Sequence, residues 1–312
     1  MKLRLLAVAL FLVGIVCLAQ QSSAQLTMTG VGGGFGGAPS YTGPIDINGA
    51  AYAFWSTRCG ATSYSGNVAD IWDSATGSTT ETLVTCSPGG TLNFTVNPLS
   101  TTCAAGCVLK TLYDQSGASN CGGACNFTQA TLADMPSITQ SCQNSKFCIT
   151  FNGTSQCMNV GSAVAAHAIP ITTSFVYKYT NPTSEAAIVG TATVNIELQA
   201  DPQAIASEVG ALNGGGANAS AAASDNAIHA VQALLNGTTL TTFYVDGTLT
   251  TPGAALGTQG IDNSTFGLGV RGACSGANKI YKGNMLEFGF WAADKTANNS
   301  SMNSNQHSYW SF

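Results

Sequence analysis

The chain carries eleven cysteines, and their placement restricts the fold more than any other feature. The first, Cys17, lies in an apolar run from Leu5 to Ala19 that follows Lys2 and Arg4 and precedes Ser22, Ser23 and Ala24. A basic start, an apolar stretch and small residues before a cut make a secretory signal peptide of residues 1–24, with Gln25 as the first mature residue. Ten cysteines remain, an even number in a chain bound for an oxidising compartment, so disulfides are expected. Cys103 and Cys107, Cys121 and Cys125, and Cys142 and Cys148 are each only a few residues apart, a spacing that staples loops and turns. Zinc is the rival use of paired cysteines, but His167, His229 and His307 lie far along the chain and exported thiols are usually oxidised. No metal and no cofactor is expected, and the protein is read as secreted, to the medium, the periplasm or the cell surface.

Charge narrows the partners. Only 8 % of residues are charged and the formal net charge is −5, which leaves no basic surface for nucleic acid. A hydrophobic fraction of 45 % is too high for disorder. No run after the leader is long and apolar enough to span a bilayer. The glycine-rich stretch at residues 30–37 follows no strand and opens no helix, so it reads as part of a lead-in over residues 25–44 rather than a nucleotide loop. Residues 45–312 then read as a single domain.

That domain is written in short β-rich pieces, among them "GNVADIWD", "CVLKTLYD", "KFCITFNG", "TSFVYKYT", "TVNIELQA", "TTFYVDGTL" and "MLEFGFWA", separated by Gly, Asn and Asp. Many short strands with such punctuation indicate an all-β sandwich or barrel. Asp246-Gly247 after Phe243 and Val245 carries the signature of a tight hairpin. Helix signals are few: a short C-terminal helix is expected after Asp294, and residues 228–235 fit a short helix or a strand equally well.

The order of motifs resembles a known family. "AFWSTRCGATSYSG", then "VADIWDSATGSTTETL", the cysteine loop "CAAGC", "VLKTLYDQSGASN" and "FCITFNGTSQCM" are similar to the catalytic domain of α-L-arabinofuranosidase B, and more widely to concanavalin A-like lectin sandwiches. The resemblance implies a jelly-roll β-sandwich of two antiparallel sheets and a secreted glycosidase that removes terminal α-L-arabinofuranosyl residues from polysaccharides. It covers residues 51–152 well and the rest diffusely. The family carries a sugar-binding trefoil after this domain; with the sequence ending at Phe312, glycan binding is expected on the sandwich itself.

Such enzymes work with two carboxyl groups. By resemblance Glu197 in "TVNIELQAD" takes the nucleophile's place, with Glu208 a lesser substitute. The acid/base aspartate's place falls on Arg271, which stays protonated and cannot cycle a proton, leaving Asp262 as the stand-in. The family's adjacent cysteine pair has no counterpart. A catalytically silent lectin-like or cell-surface module is therefore the alternative to the enzyme. Sugar stacking needs an aromatic platform, for which Trp55 and Tyr177 are candidates, with Arg58 as a hydroxyl partner; Trp72 and Trp291 read as core. Asp114 and Gln115 in "YDQSG" read as a structural turn, since Asp readily bonds nearby backbone N–H groups; sugar contact is the lesser reading.

Overall fold

A computed structural model of the chain describes residues 40–95, 103, 106–180, 186–191, 197–200, 208–212, 219–222, 226–236, 242–250, 260, 261, 263–274 and 279–312, with the backbone alone at 78–81, 197–200, 208–212 and 219–222. The expected signal peptide, the glycine-rich stretch, all of the lead-in before residue 40, and Asp262 lie outside these residues.

Nineteen strands run through the described residues. The first ten are β1 (Ala53–Ser56), β2 (Asn67–Asp73), β3 (Gly77–Ser87), β4 (Thr91–Phe94), β5 (Cys107–Leu112), β6 (Phe127–Thr128), β7 (Ser137–Gln143), β8 (Lys146–Asn152), β9 (Met158–Val160) and β10 (Ile171–Tyr179). The others are β11 (Ala186–Thr191), β12 (Glu197–Ala200), β13 (Glu208–Leu212), β14 (Ala219–Ala222), β15 (Ile228–Leu235), β16 (Phe243–Val245), β17 (Thr248–Thr250), β18 (Phe266–Leu268) and β19 (Lys282–Trp291). Every ladder between these strands is antiparallel.

The ladders form two layers of a sandwich. One runs β4-β3-β2-β5-β6-β9-β18-β11-β12-β13-β14. The other runs β17-β16-β15-β10-β19, whose far edge pairs with β1 along one half and β8 along the other. Strand β5 joins them, since its last residues pair with β6 while Cys107 and Val108 pair with β7, which pairs with β8. Aromatic rings meet across the gap: Trp55 of β1 lies 4.7 Å from Phe127 of β6, and Phe290 of β19 lies 5.3 Å from Phe266 of β18. Residues 228–235 form a strand because both neighbours, β10 and β16, offer an open edge. Asp246 (φ 49°) and Gly247 (φ 75°) make the two-residue hairpin expected of Asp-Gly.

Two helices cap the second layer. The five-residue α1 (Pro44–Asn48) opens on a proline, with Asp46 accepting the Gly43 N–H at 2.8 Å. The twelve-residue α2 (Asn299–Trp310) is poor in helix formers, yet Met302, Gln306 and Trp310 recur on one face and are buried, so docking sets its structure rather than propensity.

One polar contact holds that docking. Arg58 is fully buried, and its Nε lies 2.5 Å from Glu287 Oε2 in β19. Gln306 of α2 donates to Glu287 Oε1 at 2.7 Å and to Ser174 Oγ at 3.0 Å, while the Arg58 guanidinium lies 4.6 Å from the centre of the Tyr309 ring. Burial works against the Arg58 charge, but the Glu287 carboxylate together with the Tyr41 and Tyr309 hydroxyls holds the guanidinium above its usual pKa. Removing one partner strands a buried charge, so Glu287→Leu is expected to cost about 3–5 kcal/mol in urea unfolding. Adding Arg58→Met should recover most of that loss; strictly additive losses would show that the pair is not coupled.

Candidate functional site

The outer face of the first layer is set by strand register. Residues directly opposite in an antiparallel pair share a face. Thr128 pairs with Asn159 and Asn159 with Gly267. Because Val189 pairs with Leu268 and Thr191 with Phe266, Gly190 stands opposite Gly267, and Gly190 pairs in turn with Glu197. One row therefore crosses five strands: Thr128, Asn159, Gly267, Gly190, Glu197. The residues flanking it, Phe127, Met158, Val160, Phe266, Leu268 and Val189, are buried, whereas Thr128 is exposed and Asn159 half-buried. The row faces away from the core, and its two glycines, themselves buried, form a floor without side chains between Asn159 and the position of Glu197.

A loop crosses that floor. After β18 the chain turns through Gly269 and Gly272, both at positive φ, and comes back along β11, with Arg271 bridged to Gly190 and the Gly272 N–H donating to the Gly190 carbonyl at 3.2 Å. Gly267 has to be glycine, because a Cβ there would lie 2.0 Å from the Gly272 carbonyl oxygen. Cys274 then bridges to Cys157, just before β9, and pins the loop. Beside it opens a cleft of about 340 Å³ lined by Gln129, Thr131, Asp134, Asn159, Ala273 and Cys274. Backbone and amide bonds fix its walls: Gln129 donates to the Cys157 carbonyl at 2.9 Å and accepts the Thr131 N–H at 2.9 Å, and the Cys157 N–H donates to the Asp134 carbonyl at 3.1 Å.

The "YSG" and "YDQSG" motifs meet in a second cleft of about 350 Å³, lined by Tyr64, Ser65, Gly66, Gln115, Ser116 and Gly117 among others. Its chemistry is spent on structure. Asp114 accepts the backbone N–H groups of Phe54 (3.0 Å), Ser116 (2.9 Å) and Cys125 (3.2 Å). Gln115 accepts from Gly60 at 2.7 Å and donates to the Ser56 and Arg58 carbonyls at 3.0 Å each. Burial raises the Asp114 carboxyl, against the pull of those N–H donors. Burial also pushes the Tyr64 phenol up to about 12, so it remains a donor, to the Asn67 carbonyl at 2.8 Å.

The other residues singled out from sequence fall as follows. Glu197 opens β12 on the outer row, one strand from Gly190, and the backbone places Arg271 on the opposite side of that glycine. Glu208 opens β13, and Asp262 is outside the described residues. Trp55, Tyr177 and Arg58 correct the sequence expectation of a sugar platform, because each is at most 1 % exposed. Trp55 stacks on Phe288 at 4.6 Å and donates to the Cys125 carbonyl at 2.7 Å, while Arg58 is committed to Glu287. Trp291 is fully buried, and Trp72 is half-buried under the Lys110 ammonium. Cys103–Cys107, Cys121–Cys125 and Cys142–Cys148 are bridged, joined by Cys59–Cys86 and Cys157–Cys274. Sequence reasoning missed His229, whose Nδ1 lies 2.8 Å from Asp246 Oδ2; the conspicuous Asp-Gly turn was the available signal. Among the described residues no group of three or more His, Cys, Asp or Glu side chains is arranged to hold a metal, and no helix is long and apolar enough to cross a membrane.

No family model matches the chain, and no curated protein matches it. Solved structures do. An arabinofuranosidase complexed with arabinofuranosyl-α-1,2-xylobiose superimposes with a TM-score of 0.58 at 16 % identity, over 85 % of this chain and 64 % of that one. A GH54 α-L-arabinofuranosidase soaked with a cyclic sulfate inhibitor gives 0.57 at 16 % identity, with the same coverage. A mutant GH54 enzyme soaked with 4-nitrophenyl α-L-arabinofuranoside gives 0.56 at 15 % identity, again with that coverage. The likeness is one of fold: this chain has the β-sandwich of those arabinofuranosidases and spans less than two thirds of their length.

Asp114 supplies the test of the structural cleft. Asp114→Ala orphans buried N–H groups at about 1–3 kcal/mol each, so a loss of roughly 3 kcal/mol or more is expected in urea unfolding, with Asp114→Asn in between. Because its carboxyl is raised on folding, the parent should lose stability relative to Asp114→Asn as pH climbs from about 4 through the raised value. A parent-minus-variant difference that is flat with pH would overturn this assignment.

Proposed function

We propose that the protein is a secreted, glycan-handling sandwich that hydrolyses terminal α-L-arabinofuranosyl residues, with Glu197 as nucleophile. The observation that carries this reading is the outer row, where the position of Glu197 pairs with Gly190 beside the loop that carries Arg271, on the outward side of a fold shared with arabinofuranosidases. A carboxylate at this position, at the margin of the loop-covered glycines, would be the group that attacks an anomeric carbon. In a retaining reaction that carboxylate forms the glycosyl-enzyme as the glycosidic bond breaks, and water later releases the sugar. The second carboxyl group must protonate the departing oxygen and then take a proton from the water.

Arg271 bears on this second role. It lies on the other side of Gly190 from Glu197 and cannot give up its proton at any ordinary pH. This favours a second reading, in which the same face binds a glycan without cleaving it.

4-Nitrophenyl α-L-arabinofuranoside separates the two, because 4-nitrophenolate departs without a proton donor and its first, stoichiometric release asks only for the nucleophile, while water completes the turnover slowly without a base. The oxidised chain from Gln25 is expected to release nitrophenol, and Glu197→Gln to lower the rate on the order of 10⁴-fold. A folded parent that releases no nitrophenol, not even a stoichiometric burst, or a Glu197→Gln variant as fast as the parent, would end the hydrolase reading. Retention of such an inactive protein on arabinan or arabinoxylan would establish the binding module.

A further inference from the structure

We infer that the cleft between Asp134 and Asn159 is a separate subsite, one that takes a neutral sugar unit of a polysaccharide backbone beyond the residue at Glu197. The inference rests on the glycan-handling reading of the outer face and adds a second point of contact to it.

Three observations converge on the cleft. It is on the row: Asn159 belongs to the same outward-facing line as Glu197, three strand steps away, or about 14 Å at the usual strand spacing. That separation is wider than one sugar ring, so one ligand reaches both only if it is a chain. The lining also suits a sugar. Gln129 is committed to the Cys157 carbonyl and the Thr131 N–H, which leaves the half-buried Asp134 carboxylate, the exposed Thr131 hydroxyl and the Asn159 amide, whose Nδ2 makes one long 3.5 Å bond to the Val160 carbonyl, to line the space. A carboxylate accepts from two vicinal hydroxyls and an amide both gives and accepts, the set that a polyol requires. Ala273 and the Cys274 sulfur supply an apolar wall for sugar C–H groups. With an aspartate and no basic residue among the described lining residues, the cleft selects against acidic saccharides.

The walls are also built to stay open. The 3-10 turn Leu132–Asp134 is held by its own backbone bonds and by the Cys157 N–H, and the facing loop is pinned by Cys157–Cys274. Preorganised walls spare a ligand the cost of ordering them.

Retardation in native gels containing soluble arabinoxylan tests the subsite, on a Glu197→Gln background so that the polymer stays intact. Asp134→Asn and Asn159→Ala are each expected to weaken retardation about tenfold, the loss of one or two hydrogen bonds, with melting temperatures matching the background protein. Should Asp134→Asn fail to fold, Asn159→Ala on β9 carries the comparison alone. A background protein that is not retarded, or variants retarded as strongly as it is, would overturn the subsite. Failure of the hydrolase reading is registered separately, by the parent's nitrophenol release, and leaves this comparison standing.

Discussion

A guanidinium with no exposed surface must be neutralised where it lies, and Arg58 settles how the second layer closes. Its partner Glu287 sits 229 positions away in the chain, and the carboxylate accepts Arg58 through one oxygen and Gln306 through the other. Ser56 and Thr57, just before Arg58, each donate to the Leu286 carbonyl at 3.2 Å. Strand β1, strand β19 and helix α2 are thereby locked at one point. In a chain with so few charges, one uncompensated ion in that position costs a large share of a domain's net stability. The same contact removes Arg58 from any ligand and spends it on folding.

The other shared motifs behave similarly. Asp114 ties β1 to the Cys121–Cys125 loop, and Gln115 holds the segment from Ser56 to Gly60. Residues that make a sequence look familiar can thus be those that close the sandwich, and a likeness built on them transfers architecture before activity. The outer row, Thr128 apart, is drawn instead from the part of the chain whose resemblance is diffuse.

What could be read from sequence follows from range. The Asp246-Gly247 hairpin, the three local bridges and the Asp114 turn depend on neighbours within a few residues, and the chain displays them. Cys157–Cys274 closes a span of 117 residues, and nothing local announces it. Trp55 and Tyr177 were offered as platforms because an alternating strand does not say which of its faces the second layer will cover. Their partners, Phe127, Phe288 and His229, come from elsewhere in the chain. The cleft at Asp134 was invisible for the same reason: its lining comes from three separate segments, and only the pairing of β6, β9 and β18 brings them to one face.

Arg271 gives the outer face its chemical character. A fixed positive charge beside a carboxyl group favours the ionised form, which suits a nucleophile and opposes a proton donor. On the proposed hydrolase reading, an arginine bridged to Gly190 would divide the two tasks of a retaining glycosidase unequally, favouring an ionised nucleophile and supplying no proton to the leaving group. A site biased in this way handles substrates whose leaving group needs little protonation better than a sugar hydroxyl. On that reading hydrolysis would need a proton source outside the loop that carries Arg271, and without one the face would serve the alternative proposal, binding a glycan and leaving it whole.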